Sequence, residues 1–383
     1  MRILHVLFNG TVPDRPDVDP SSGIVQACLQ IAREQVKAGH RVSVYFPSRP
    51  ARRWEWEGVQ MLGTPNWPWA RLRVKSRVLD FSSYGPLLLT SWRSRYDVVH
   101  AHGFGYLRGI HAQGVVQHFH ADPQWAGFTA RDYRRVAHDV RAIVTVNHAI
   151  AETLRATESP LPPVFPVPIG VRRPDGARDP SERQRSRRAL GLGQGAFVLL
   201  FVGAVVPDKG VAELLSAFSA LEPSNDGPFL LIAGSSSLWR SESRDETPYE
   251  QRCREFIRNT GLLPRVRWLG LLDRPRLVQA YAGADALVVP SQWPEAACLA
   301  ALEGLSLGIP VVATAVGGVP EYLRNAAWLV APDPLSLAAG LERVRHDGAL
   351  RESLAQAGLK VVGERTWPMT VAQLEDVYAH MLT

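Results

Sequence analysis

The chain has 383 residues, 46% of them hydrophobic and 21% charged, and a formal net charge of +6. This is globular material with enough apolar surface for two cores of roughly 150 to 200 residues each, and no apolar run reaches the ~18 residues of a membrane span. Cys28, Cys253 and Cys298 are too scattered for a disulfide framework or a zinc cluster, and the diffuse positive charge suits an anionic substrate or acidic membrane surface while giving no argument for nucleic acid.

Met1 to Phe8 reads as a first strand, too short for a signal-peptide core, so a cytoplasmic location is expected. Gly23 opens a helix whose apolar positions Val25, Cys28, Leu29, Ala32 and Val36 keep the helical period. Gly39 stops it, and Arg41 to Phe46 is the next strand. Glycine at the turn before this helix leaves room for an anion, or is plain loop chemistry; G-x-G-x-x-G is missing. Residues 49–95 interleave Trp54, Trp56, Trp67, Trp69 and Trp92 with arginines, a pattern that suits core and rim packing, sugar stacking or peripheral contact with an anionic membrane.

Two short strands then end in histidines, Val98-Val99 in His100 and His102, and Val115 to Asp122 in His118 and His120. Ligands of open parallel sheets bind at the carboxyl ends of strands, so these histidines are well placed for function. No carboxylate-rich cluster accompanies them, and no metal site is expected. Ala142 to Val146 is another strand, with a helix after it through Leu154.

A proline-rich stretch from Ser159 to Pro168 and an arginine-rich run from Arg172 to Arg188 read as an interdomain connection leading into a solvated helix. Beyond it the rhythm restarts. Strands are expected at Phe197 to Val202, Phe229 to Ala233, Val266 to Leu269, Ala286 to Val289 and Val311 to Ala313, all but the fourth running into a glycine-containing turn. The fold class is therefore α/β, two Rossmann-like domains facing a central cleft. Residues 1–170 form the first domain, 171–365 the second, and 366–383 return to the first after a break at Thr366-Trp367-Pro368.

Residues 288–322 centre on a pair of carboxylates, Glu295 just before an expected helix from Ala296 to Leu307 and Glu303 within it. Eight helical positions span ~12 Å, so the pair would lie at opposite ends of a nucleotide-sugar-sized span, with a site for a diphosphate between them at the helix N-terminus. A surface glutamate plus an unrelated mid-helix one fits the spacing equally well.

Taken together, FVGAVVPDKG from Phe201, WLG from Trp268, YAGADALVVPS, PEAACLAALEG, GIPVVAT and GGVPEY from Gly317 follow one another as in the retaining family-4 glycosyltransferases of GT-B fold, which the chain resembles over nearly its whole length. The resemblance implies a UDP- or GDP-linked sugar as co-substrate, no other cofactor, no metal, and hexosyl transfer to a carbohydrate, lipid-linked or small-molecule acceptor. It implies that Glu295 binds donor-sugar hydroxyls, Glu303 the ribose, and Lys209 the diphosphate leaving group. Amides at Ala297, Cys298 and Leu299 would cradle phosphates, with Gly23, Gly203, Ala204, Gly270, Gly317 and Gly318 also lining the donor and His120 facing the reacting sugar. Ala204 stands where the family usually has arginine, Ala297-Cys298 replace Phe-Gly, and Ile169-Gly170-Val171 replace Asn-Gly-Val. A catalytically silent nucleotide-sugar-binding protein of the same fold is the alternative.

Overall fold

The structure is a computed structural model, and it describes the chain apart from residues 9–11, 18–21, 66–70, 75–76, 81–83, 106, 126, 172–179, 225–226 and 237–245 and the side chains of 71–74 and 77–80. The chain divides into two compact units, Met1–Val12 with Ser21–Gly170 and Trp367–Thr383, and Pro13–Pro20 with Val171–Thr366. Among the described residues no helix is long and apolar enough to cross a membrane.

The strands of the first unit are β1 (Arg2–Leu7), β2 (Arg41–Pro47), β3 (Arg52–Trp56), β4 (Val59–Thr64), the separate hairpin β5 (Arg71–Val74) and β6 (Arg77–Asp80), then β7 (Tyr96–His102), β8 (Ala112–Phe119), β9 (Ala142–Thr145) and β10 (Val164–Pro166). All but β5 and β6 form one sheet in the order β10-β9-β8-β7-β1-β2-β4-β3, parallel except for the β3–β4 pair. Parallel strands are covered on both faces, hence the continuous apolar runs in β1 and β2. Helix α1 (Gly23–Lys37) sets Val25, Cys28, Leu29 and Ala32 in one cluster with Val42, Val44, Phe46, Val59 and Met61. The buried face ends in a polar residue, Gln35, 0% exposed.

The 49–95 segment is largely structural where it is described. Trp54 meets Phe46 edge-on at 5.7 Å, Arg52 lies 4.9 Å over its indole, and Trp54 and Trp56 pack on the core of this unit. Trp67 and Trp69 lie outside the described residues. Trp92, on α2 (Tyr84–Ser94), is 62% exposed and stacks on His111 at 5.1 Å. Smaller helices α3 (Ala130–Asp139) and α4 (His148–Arg155) complete the main body of the unit.

The second unit starts with α5 (Pro180–Ala189), which is far from being a solvated linker helix. Arg187, 1% exposed, donates to Asp285 Oδ2 at 2.5 Å and to the Gly283 carbonyl at 3.1 Å, while Arg183 donates to Asp285 Oδ1 at 2.5 Å. These arginines thus pin α5 to the start of a central strand. The strands are β11 (Val198–Val202), β12 (Phe229–Ala233), β13 (Val266–Gly270), β14 (Ala286–Val289), β15 (Val311–Thr314) and β16 (Ala327–Val330). They form one parallel sheet in the order β13-β12-β11-β14-β15-β16. By position this is 3-2-1-4-5-6, the doubly wound order, whose ligand crevice falls where the direction of winding reverses, between β11 and β14.

Around this sheet lie α6 (Val211–Ser219), α7 (Pro248–Asn259), α8 (Arg274–Gly283), α9 (Leu299–Ser306), α10 (Val319–Leu323), α11 (Pro334–His346) and α12 (Gly348–Gly363). Leu214, Leu215 and Phe218 of α6 and Leu337 and Leu341 of α11 join Leu199, Phe201, Ile232, Val288 and Val312 in one core. Helix α13 (Trp367–Leu382) belongs to the first unit, where Thr370 Oγ1 donates to the Pro168 carbonyl at 2.9 Å. Trp367-Pro368 opens this helix instead of interrupting it, because a proline in the first turn removes an N–H that has no helical partner anyway.

Candidate functional site

The described residues most clearly shaped for binding in the second unit lie at its switch point. After β11 the chain passes through a tight 3-10 turn, Pro207–Lys209, closed by Gly210 at φ 69°. A Cβ on Gly210 would lie 1.8 Å from the Pro290 carbonyl oxygen, and Gln292 N–H donates to the Asp208 carbonyl at 2.8 Å. The turn after β11 is therefore docked on the loop after β14. That docking brings Lys209 Nζ into an ion pair with Glu295 Oε1. Ser291 Oγ donates to the same oxygen at 2.6 Å, and the Trp293 ring lies 5.0 Å from the ammonium.

Glu295 is 6% exposed. Burial alone would raise its pKa; Lys209, with hydrogen bonds from Lys209, Ser291 and Trp293, outweighs burial and holds it below the usual glutamate value. The loop after β15 closes on the same residue. Gly317 has φ 54°, a Cβ there would sit 2.6 Å from Pro294 Cα and 2.7 Å from Glu295 N, and Gly318 N–H donates to the Glu295 carbonyl at 2.7 Å.

Helix α9 begins at Leu299, three residues later than expected, because Cys298 takes a left-handed conformation (φ 43°, ψ 55°) at its N-cap. Glu295 and Ala297 therefore lie in the preceding loop, and the two glutamates are not on one helix face. The early amides of α9, from Leu299, remain a ready anion site. Glu303, inside α9, accepts from Arg274 Nη1 at 2.6 Å and from the Tyr281 hydroxyl at 3.2 Å. Arg274 was missed from sequence; its only signal is its place just after Asp273, the N-cap of α8.

Gly203 and the buried Ala204 follow β11. A Cβ on Gly234 would lie 1.8 Å from the Gly203 oxygen, and Gly234 N–H donates to the carbonyl of Gly270 at the end of edge strand β13. Arg324 pairs with Glu364 at 2.8 Å.

In the first unit, Gly23 is the exposed first residue of α1. His120 ends a ladder of five histidines on or just after β1, β7 and β8, including His5, which has no distinguishing signal within its apolar strand. The nitrogens meet in pairs: His5 with His102 at 2.9 Å, His102 with His120 at 2.8 Å, and His100 with His118 at 3.0 Å. Gln35 and Tyr378 close the inner end, Gln35 Oε1 at 2.7 Å from His5 Nε2 and the Tyr378 hydroxyl at 2.5 Å from His100 Nδ1.

Two triads, His5-His100-His102 and His102-His118-His120, bring ring nitrogens within 4.8 Å of one another, a donor set that suits a metal. The paired nitrogens are nevertheless closer than the ~3.3 Å edge of a tetrahedral site with 2.0–2.1 Å bonds. His118 and His120 are also stacked, with centroids 4.1 Å apart, so their in-plane lone pairs do not converge. As placed, the rings form a hydrogen-bonded ladder. Burial lowers the His5 pKa to about 4 and moves that of His120 in the same direction, less firmly because its side chain is only partly buried. It also holds His100, His102 and His118 well below the usual value, with neighbouring histidines adding to the effect.

The family profile described as "Glycosyl transferases group 1" matches residues 182–361, and "Glycosyltransferase Family 4" matches residues 21–173. A D-inositol 3-phosphate glycosyltransferase from Jonesia denitrificans is 34% identical over 52% of this chain and 47% of that protein. The chain spans about half the length of several curated relatives it matches. Sucrose-phosphate synthase from Thermosynechococcus elongatus overlays with a TM-score of 0.79 at 19% identity, covering 99% of this chain and 98% of that one. Anabaena HepE in complex with UDP-glucose gives 0.78 at 17%, covering 99% and 100%. With two parallel α/β units, two profiles matching in succession and near-complete overlay on GT-B structures, the chain belongs to the family-4 type of GT-B glycosyltransferases.

Proposed function

We propose that the protein transfers a hexosyl group, with retention and without a metal, from a nucleoside-diphosphate sugar to a carbohydrate, lipid-linked or small-molecule acceptor. The observation that carries this reading is the Lys209–Glu295 pair, fixed at the switch point of the second unit by loops that approach too closely for any side chain at Gly210 or Gly317. The known complex of HepE with UDP-glucose supports a nucleotide sugar as donor.

In this reading the second unit holds the donor. The Glu295 carboxylate accepts from sugar hydroxyls, and Glu303, oriented by Arg274 and Tyr281, accepts from the ribose diol. Lys209 donates to the diphosphate and stabilises the charge that develops as the bond from the anomeric carbon to the phosphate oxygen breaks. The electron pair of that bond leaves with the phosphate. An acceptor hydroxyl forms the new bond from the same face, and its proton passes to the departing phosphate oxygen. The first unit binds the acceptor and contributes His120. A lipid-linked acceptor would bring this unit to an anionic membrane surface, with Trp92 as the exposed contact.

Ala204 favours the second reading, a protein that binds a nucleotide sugar and does not turn it over. A thermal-shift series with nucleotide sugars tests binding, since a ligand at 100 times its Kd adds ~2.7 kcal/mol. Release of the nucleoside diphosphate then tests turnover. The transferase reading requires release that is lost in Glu295→Gln and Lys209→Ala. Binding without release for any acceptor or water establishes the silent reading, and no shift with any nucleotide sugar defeats both.

A further inference from the structure

We propose that Gln35 is a positioning residue that fixes the proton of His120 on Nε2 and leaves Nδ1 as a hydrogen-bond acceptor, by way of an unbroken chain through His5 and His102. A neutral imidazole has one N–H and one lone pair, so in a chain of rings the first hydrogen bond dictates all the others. The histidines cannot choose a direction by themselves. The amide of Gln35 can, because its two ends are chemically different.

As the amide is oriented, Oε1 accepts from His5 Nε2 at 2.7 Å. His5 Nδ1 must then accept from His102 Nε2, at 2.9 Å, and His102 Nδ1 from His120 Nε2, at 2.8 Å. The other end of the amide, Nε2, donates to the Tyr378 hydroxyl at 3.1 Å. That hydroxyl donates to His100 Nδ1, and His100 Nε2 donates to His118 Nδ1 at 3.0 Å. All five rings are thereby Nε2–H tautomers. Turning the amide over would reverse every bond and make all five Nδ1–H, so that His120 would offer a donor in place of an acceptor.

Burial makes the arrangement stable. Gln35, His5, His100 and His118 are 0% exposed and His102 1%, so water is not there to satisfy a ring of the wrong tautomer between Gln35 and His120; His118 Nε2, at the end of the other branch, is buried without a partner among the described residues in either direction and favours neither. The depressed basicity of the cluster keeps the rings neutral at pH 7. It also means that His120 orients a substrate hydroxyl by accepting its hydrogen bond and does not take the proton. This last step rests on the proposed role of His120 in transfer; the tautomer assignment does not.

The test uses the full chain labelled with 15N-histidine, with long-range proton–nitrogen correlation spectra at pH 7 for wild type, Gln35→Met and Gln35→Glu. Wild type is expected to show all five rings as Nε2–H. Gln35→Met removes the acceptor and is expected to give mixed tautomers at His5, His102 and His120, with kcat for transfer falling about tenfold and the donor KM unchanged, the loss of one oriented hydrogen bond.

Gln35→Glu is the discriminating variant. Its carboxylate still accepts from His5, so His120 keeps Nε2–H and transfer is retained; it also accepts from Tyr378, so His100 and His118 switch to Nδ1–H. A wild-type His120 protonated on Nδ1, or a Gln35→Met spectrum unchanged from wild type, overturns the proposal even if neither variant folds well enough for kinetics. Tautomers that shift as described while Gln35→Met transfers at the wild-type rate refute the role of His120 and leave the tautomer assignment standing.

Discussion

Acid should dismantle the first unit before the second, and the histidine ladder supplies the size of the effect. The perturbation is a fall in pH from 7 to 5. His5 has a folded-state pKa of about 4 against 6.5 in the unfolded chain, so below pH 6.5 the unfolded state binds the extra proton. Stability held by the neutral ring is complete above pH 6.5 and is lost as pH falls toward 4. At pH 5 the loss is about 1.5 units at 1.36 kcal/mol each, roughly 2 kcal/mol for His5 alone.

His100, His102 and His118 are shifted in the same direction and are equally buried, while His120, partly exposed, adds less. The total is a sizeable part of the ~5–15 kcal/mol that holds a domain together. Of the eleven histidines only His346 lies in the second unit, and it is on the surface. Calorimetry at pH 7, 6 and 5, with hydrogen exchange assigning each transition to its unit, should show the first unit's transition falling steeply and the second unit's much less. Parallel shifts of both transitions, or ladder histidines that titrate near 6.5 with the unit intact, would refute the reasoning.

Three further outcomes follow from the packing. Lys209→Met strands Glu295 in a nearly dry loop and should cost the second unit about 2–3 kcal/mol, below the usual buried-pair value because Lys209 is 19% exposed. In that variant burial raises the Glu295 pKa above normal, so its deficit should narrow as pH falls from 7 to 6, and adding Glu295→Gln should restore part of the loss in a double-mutant cycle. Gly317→Ala forces a Cβ to within 2.6 Å of the Pro294 backbone at φ 54° and should raise the donor KM at least about tenfold with the fold retained. Arg187→Met leaves Asp285 with the Arg183 ion pair and the hydrogen bond from Val198 N–H, and should cost about 3 kcal/mol in denaturant unfolding of the second unit; a loss below about 1 would make the pairing dispensable.

Most strands, two units and their α/β class were legible in the sequence because a parallel strand buried on both faces must be a continuous apolar run, and several of these runs end at a glycine, as at Gly203, Gly234 and Gly270. The same period-based reading had no purchase on β3 and β4, which are mixed in polarity at or beside one sheet edge, or on β16, an edge strand of four residues. It also could not see that Arg187 is a core residue, since burial of a charge is set by a partner, Asp285, almost a hundred positions away. Glu295, Lys209 and the Gly317-Gly318 turn were marked as site candidates by motif order, yet their mutual contact is a property of three neighbouring strand ends.

What the chain determined by itself is therefore the pattern: which residues seek a core, where strands end, and which chemically capable side chains stand at those ends. The tertiary structure alone decided the pairings. It moved the start of α9 past Glu295 through one left-handed residue, joined Glu303 to Arg274, and brought Gln35, Tyr378 and five histidines from five separate stretches into one hydrogen-bonded network. Periodicity is local and written in every few residues, whereas a hydrogen bond between residues tens of positions apart exists only once the sheet order has set them side by side.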